Sequence, residues 1–103
     1  MLEAYSLDEV KRIISNSSIP LVLFLHAPWC GNCRSMYPVI QKFDLEYSGK
    51  VEIVKINIED DKESAEYFKV EGVPKFISYK KGRMIDSFAG ANPVRLENMI
   101  KTL

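Results

Sequence analysis

Leu21-Val22-Leu23-Phe24-Leu25-His26 is a nearly continuous apolar run, and Ala27-Pro28-Trp29-Cys30-Gly31-Asn32-Cys33 follows it directly. A run of this kind, entered at Pro20, reads as a strand covered on both faces. After Cys33 the period changes: Met36, Ile40, Phe43 and Tyr47 are spaced four, three and four apart, which is one face of a helix. A buried strand that passes into a helix through a Cys-x-x-Cys turn constrains the fold more than any other feature. It requires a sheet with helices packed on both sides. Pro38 lies inside the helical pattern and should kink it, and Ser48-Gly49 ends it.

The flanking segments agree. Ser6-Leu7-Asp8-Glu9 fits a capping box, and Leu7, Val10 and Ile14 continue at helical spacing, so residues 7–16 read as a short helix. A short strand near Glu3 to Tyr5 can precede it. Val51 to Ile58 is a second β-rich run. Asp61 can cap a helix from Lys62 to about Lys69, with Ala65 and Phe68 inward. Glu71-Gly72-Val73-Pro74 breaks the chain. Phe76 to Tyr79 and Met84 to Phe88 read as a hairpin joined by Lys80-Lys81-Gly82-Arg83. Asn92-Pro93 starts a last helix, with Leu96, Met99, Ile100 and Leu103 as its apolar face. The expectation is an α/β fold with a central mixed sheet of four or five strands, parallel first and antiparallel after, and helices on both faces. With 103 residues and no linker or repeat, residues 1–103 read as one domain.

Composition narrows the function. Fourteen basic residues balance 14 acidic ones, which gives no electrostatic basis for binding nucleic acid or an anionic membrane. The longest apolar run is far too short to cross a bilayer. Met1 to Val10 has no basic stretch followed by an apolar one, so the cytoplasm is the expected compartment. The only two cysteines are three residues apart and cannot staple distant segments, unlike those of a small secreted scaffold. Tetrahedral zinc needs four ligands, and Cys30, Cys33 and the single His26 do not supply them, so no metal is expected; a dithiol reading needs no organic cofactor either.

Redox chemistry is the reading that fits the position of the pair. Cys30 stands where a helix begins, and the unpaired N–H groups and dipole of the first turn favour a thiolate there. Cys33 lies one turn further in and should be less exposed. Its spacing suits attack on a mixed disulfide formed by Cys30. Gly31 and Asn32 are small or flexible enough for the tight first turn.

Ala-Pro-Trp-Cys-Gly-Asn-Cys resembles the active-site segment of the thioredoxin family, and the similarity covers nearly the whole chain. Gly72-Val73-Pro74 resembles the family's cis-proline loop, Pro38 its helix kink, Lys55-Ile56-Asn57-Ile58-Glu59 its third-strand segment, and Gly90 its late glycine beside the active site. The resemblance implies a thioredoxin fold in which Pro74 is cis and packs against the cysteines. It implies that the Val73 backbone pairs with an extended substrate, with Trp29, Pro74 and Gly90 also on the substrate side. It further implies a monomeric reductase of protein disulfides, re-reduced by a separate reductase of the thioredoxin-reductase type. The rivals are an oxidase or isomerase on the same fold and a redox-silent binding module.

Three positions depart from the family. The buried acid usual six residues before the first cysteine is Phe24, the aromatic two residues later is His26, and the residue before Cys33 is Asn32. His26 shares a strand face with Phe24 and could relay the proton that Phe24 cannot. It reads more simply as a buried histidine satisfied by a backbone partner. Lys55, without the acid it neighbours in the family, is expected to reach solvent or another carboxylate. Glu59 could hold the Trp29 indole. Arg34 and Lys75 flank the site and could favour acidic partners.

Overall fold

In the computed structural model, which describes residues 1–103, nine elements follow one another: β1 (Leu2–Ala4), α1 (Leu7–Asn16), β2 (Leu21–His26), α2 (Gly31–Glu46), β3 (Glu52–Asn57), α3 (Lys62–Tyr67), β4 (Lys75–Lys80), β5 (Arg83–Ala89) and α4 (Pro93–Lys101). The sheet has five strands in the order β1-β3-β2-β4-β5. β1 and β2 run parallel to β3, whereas β4 runs antiparallel to both β2 and β5. This is the mixed sheet expected, and the short N-terminal strand makes the fifth.

β2 is central and buried at all six positions, as its lack of alternation requires. Its side chains divide by parity. Val22 and Phe24 point to the face covered by α2 and α4, where they pack with Ile53, Phe76, Met36, Leu96 and both cysteines. Leu21, Leu23 and Leu25 point to the face covered by α1 and α3, with Val54, Ile56, Val10 and Phe68.

The caps act as read. Ser6 Oγ accepts from the Glu9 N–H at 3.1 Å, Asp61 Oδ1 from Ser64 at 2.9 Å, and Asn92 Oδ1 from Arg95 at 3.0 Å. Pro38 does not end α2, which runs through it for 16 residues.

Some details differ from the sequence reading. α3 stops at Tyr67, two residues early, because Lys69 turns into the left-handed region at φ 53°. The buried residue inside that helix is Ser64; Ala65 is only half-buried. Ser64 is tolerated because its hydroxyl donates to Asp61 at 2.5 Å. The β4–β5 strands run to Lys80 and from Arg83, so the loop is two residues long. Lys81 and Gly82 both take positive φ, at 53° and 78°, the pattern that matches the twist of paired strands.

Candidate active site

Cys30 is the N-cap of α2, with extended backbone dihedrals, and its sulfur occupies the place a capping oxygen would take. The Cys33 N–H donates to Cys30 Sγ at 3.1 Å, and the Cys30 thiol donates to the Val73 carbonyl at 3.6 Å. Both thiols are free. Cys30 retains 6% exposure and Cys33 none, the order expected of an attacking and a resolving sulfur. Burial pushes the Cys33 thiol up to about 12, and its hydrogen bond with Cys30 adds to the effect.

The Val73–Pro74 bond is cis, and Pro74 is buried. The Pro74 carbonyl accepts from the Gly90 N–H at 2.8 Å. Gly90 has φ 115°, where a side chain would be strained, so glycine at this position follows from the backbone. The N–H of Val73 makes no backbone hydrogen bond, which leaves a free donor beside Cys30. Val73, Pro74 and Gly90 therefore gather with the cysteines at one end of the sheet. Trp29 joins them, 63% exposed, its indole N–H donating to Glu59 Oε1.

Of the expectations for these residues, the backbone partner of His26 needs correction, and the others gain detail. Gly31 fits the first turn as expected, and an added Cβ would come no closer than 3.9 Å, to the end of the Arg34 side chain. His26 is 5% exposed, but its partner is the Tyr37 hydroxyl, 3.2 Å from Nδ1, and not a backbone group. Burial, with Lys55 second, lowers His26 to about 4, so it is neutral at physiological pH and a weak proton acceptor. Lys55 has no carboxylate partner; its ammonium lies 5.0 Å from the centre of the Tyr37 ring. Arg34 and Lys75 are bound to their own backbone: Arg34 Nη1 donates to the Pro28 carbonyl at 2.8 Å, and Lys75 Nζ to that of Phe68 at 2.9 Å. Asn32 is exposed in the first turn of α2, as expected.

Phe24 fills the acid's place with an aromatic stack. Its ring lies 5.1 Å from His26 and 5.3 Å from Phe76, both stacked, and Tyr37 meets it edge-on at 5.8 Å. Among the side chains in this cluster, none is a carboxylate. Sequence reasoning missed Tyr37, although its place one turn beyond Cys33 on α2 was a usable signal. It also missed Ile58 and Val70, which with Trp29 and Val73 line a cleft of about 400 Å³ beside Cys30.

The family model for thioredoxin matches residues 2–102. Thioredoxin of Haemophilus influenzae is 36% identical over 93 residues, covering 89% of this chain and 87% of the relative. Thioredoxin-1 of Drosophila melanogaster is 34% identical over 96 residues, covering 93% and 90%. Among solved structures, oxidised mitochondrial thioredoxin 3 of Saccharomyces cerevisiae superposes with a TM-score of 0.94 at 32% identity, covering 100% of this chain and 95% of that one. A second yeast structure, from work on the resolution of a mitochondrial 1-Cys peroxiredoxin by glutathione and thioredoxin, also reaches 0.94, at 31% identity, covering 100% and 95%. The sequence and the fold agree: this chain belongs to the thioredoxin family of thiol–disulfide oxidoreductases and is a protein-disulfide reductase.

Proposed function

We propose that Cys30 is the nucleophile and Cys33 the resolving thiol of this reductase, with residues 1–103 acting as one domain. The observation that carries the assignment is the position of Cys30 Sγ, capping α2, accepting a first-turn N–H and facing Val73. Cys30 thiolate attacks one sulfur of a substrate disulfide. The substrate S–S bond breaks, a Cys30–substrate disulfide forms, and the other substrate sulfur leaves as thiolate and takes a proton. Cys33 then loses its proton and attacks Cys30 Sγ. The Cys30–Cys33 bond forms and the second substrate thiol departs. Two electrons have passed to the substrate. A separate reductase of the thioredoxin-reductase type returns them, with no metal or organic cofactor on this chain.

The substrate lies as an extended strand along Val73, whose free N–H supports this mode of pairing. Trp29, held by Glu59, provides an apolar wall; Pro74 and Gly90 shape the floor. Gly31 and Asn32 form the turn between the cysteines. His26 and Lys55 support the sheet end and do not carry the proton. With Phe24 inert and His26 a weak base, the Cys33 proton goes to solvent or to the departing substrate thiolate. The protein acts as a monomer in the cytoplasm, away from membranes and nucleic acid; no helix is long and apolar enough to cross a membrane. A thiol-dependent peroxidase is one candidate substrate class, since a yeast neighbour comes from work on the resolution of a peroxiredoxin.

Insulin disulfide reduction tests this reading. Wild type should catalyse it and Cys30→Ser should not. A silent wild type would instead favour a binding module.

A further inference from the structure

The cleft beside Cys30 is lined by Trp29, Ile58, Val70, Glu71, Gly72 and Val73. Four of the six are apolar side chains, and Gly72 has none to fill the space. Glu71 is the single charge in this lining, and it is exposed. No ion pair or hydrogen bond engages its carboxylate, since the pairs present are Met1–Asp44, Arg95–Asp86 and Lys101–Glu97.

The other charges nearby are accounted for differently. Glu59 accepts the Trp29 indole N–H. Arg34 and Lys75 donate to the carbonyls of Pro28 and of Phe68 and Lys69. Asp60 is exposed but lines a different depression, with Tyr5, Ser6 and Asp8. Lys69 is the one uncommitted cation close by. It lines a neighbouring depression with Lys75 and Phe88 that Glu71 also borders, so Glu71 stands between the apolar cleft and two cations, neither of which forms an ion pair with it. The chain has zero net charge, so no long-range field overrides this local pattern.

We propose that Glu71 makes the cleft selective for substrates with an apolar residue next to the reacting cysteine and a basic residue beyond it. The proposal rests on the assignment of Cys30 as nucleophile and adds the class of peptide it takes. An extended peptide along Val73 sends side chains alternately to the two sides. One beside the cysteine enters the apolar trough between Trp29 and Val70, and a longer one beyond it reaches the rim at Glu71. A cation there meets a carboxylate held in no ion pair; an anion meets repulsion from Glu71.

The test uses homodisulfide peptides with a central cysteine, leucine on each side, and outer positions that are all lysine or all glutamate. Reduction is followed as kcat/KM for wild type, Glu71→Gln and Glu71→Lys. Exposed charge pairs are weak, so wild type should prefer the lysine peptide by about threefold. Glu71→Gln should remove most of the preference and Glu71→Lys should invert it. At about 1 M salt, where charges are screened beyond roughly 3 Å, the wild-type preference should collapse. Equal rates for the two peptides with wild type, or a preference that Glu71→Lys leaves in place, would overturn the proposal while disulfide reduction stands. If neither peptide is reduced, the dithiol reading fails and this one with it.

Discussion

The two faces of the sheet are built from the same strands and differ in kind. Under α1 and α3, Leu21, Leu23, Leu25, Val54, Ile56 and Ile77 form an aliphatic layer. Under α2 and α4 the same strands offer Phe24, His26, Phe76 and Ser78, and both cysteines pack there. Stacking continues from His26 through Phe24 and Phe76 to Phe88, with Arg95 over the last ring at 4.8 Å. Both cysteines, His26 and Tyr37 sit on this second side, whereas the buried Asp61–Ser64 pair belongs to α3 on the first. The first side holds no thiol, so substitutions there should change stability without changing chemistry, and the second side should couple the two.

Phe24→Asp probes the second face hardest. It removes a stacked ring and buries a carboxylate in a largely apolar cluster, and the cost should be about 4 kcal/mol. It should also speed release of a mixed disulfide near pH 7, because an acceptor for the Cys33 proton is restored. Stopped-flow rates for variant and wild type decide this; equal rates at every pH would mean that another group already takes the proton. Leu23→Ala, on the aliphatic face, should cost about 3 kcal/mol in urea unfolding. Its folded fraction should reduce insulin at the wild-type rate, and a changed rate would break the division between faces.

A smaller effect is expected from acid. His26 is held neutral in the folded protein, at about 4 against 6.5 when free. Between those values the unfolded chain binds the extra proton. Stability is therefore full above about pH 6.5 and falls as pH drops toward 4, by roughly 2–3 kcal/mol. His26→Gln should flatten that slope in unfolding curves taken from pH 7 to pH 4, and an unchanged slope would contradict the burial of a neutral imidazole. The smallest effect concerns Asn32, exposed in the first turn of α2 where a backbone N–H is not needed. Asn32→Pro should pre-organise the turn closed by the Cys30–Cys33 bond. The potential in glutathione buffer should become more negative by roughly 30 mV, about 1.4 kcal/mol. A less negative value would show that the turn is already ordered.

What the sequence revealed follows from range. The unbroken run at β2, the change of period after Cys33 and the three side-chain caps are local signals, and they placed the strand, the helix and the cysteine pair. The cis Val73–Pro74 bond and the place of Gly90 came only through family resemblance, because they depend on contacts across the sheet. Ser64 went unseen as a buried residue because its burial depends on the hydroxyl reaching Asp61. The partner of His26 was missed for a similar reason: strand parity gives its face, but not that Tyr37 would lean across to meet it.

The division of labour between a rim sulfur and a buried one can be tested directly by trapping. Cys33→Ser protein is mixed with a disulfide substrate at pH 7 and examined by whole-protein mass spectrometry. One substrate chain should be held per protein through Cys30, and it should persist because no second thiol can displace it. Cys30→Ser should form no adduct over the same time, since Cys33 is fully buried and protonated. Normal turnover by Cys33→Ser without an adduct, or capture by Cys33 in the Cys30→Ser protein at a similar rate, would contradict the account.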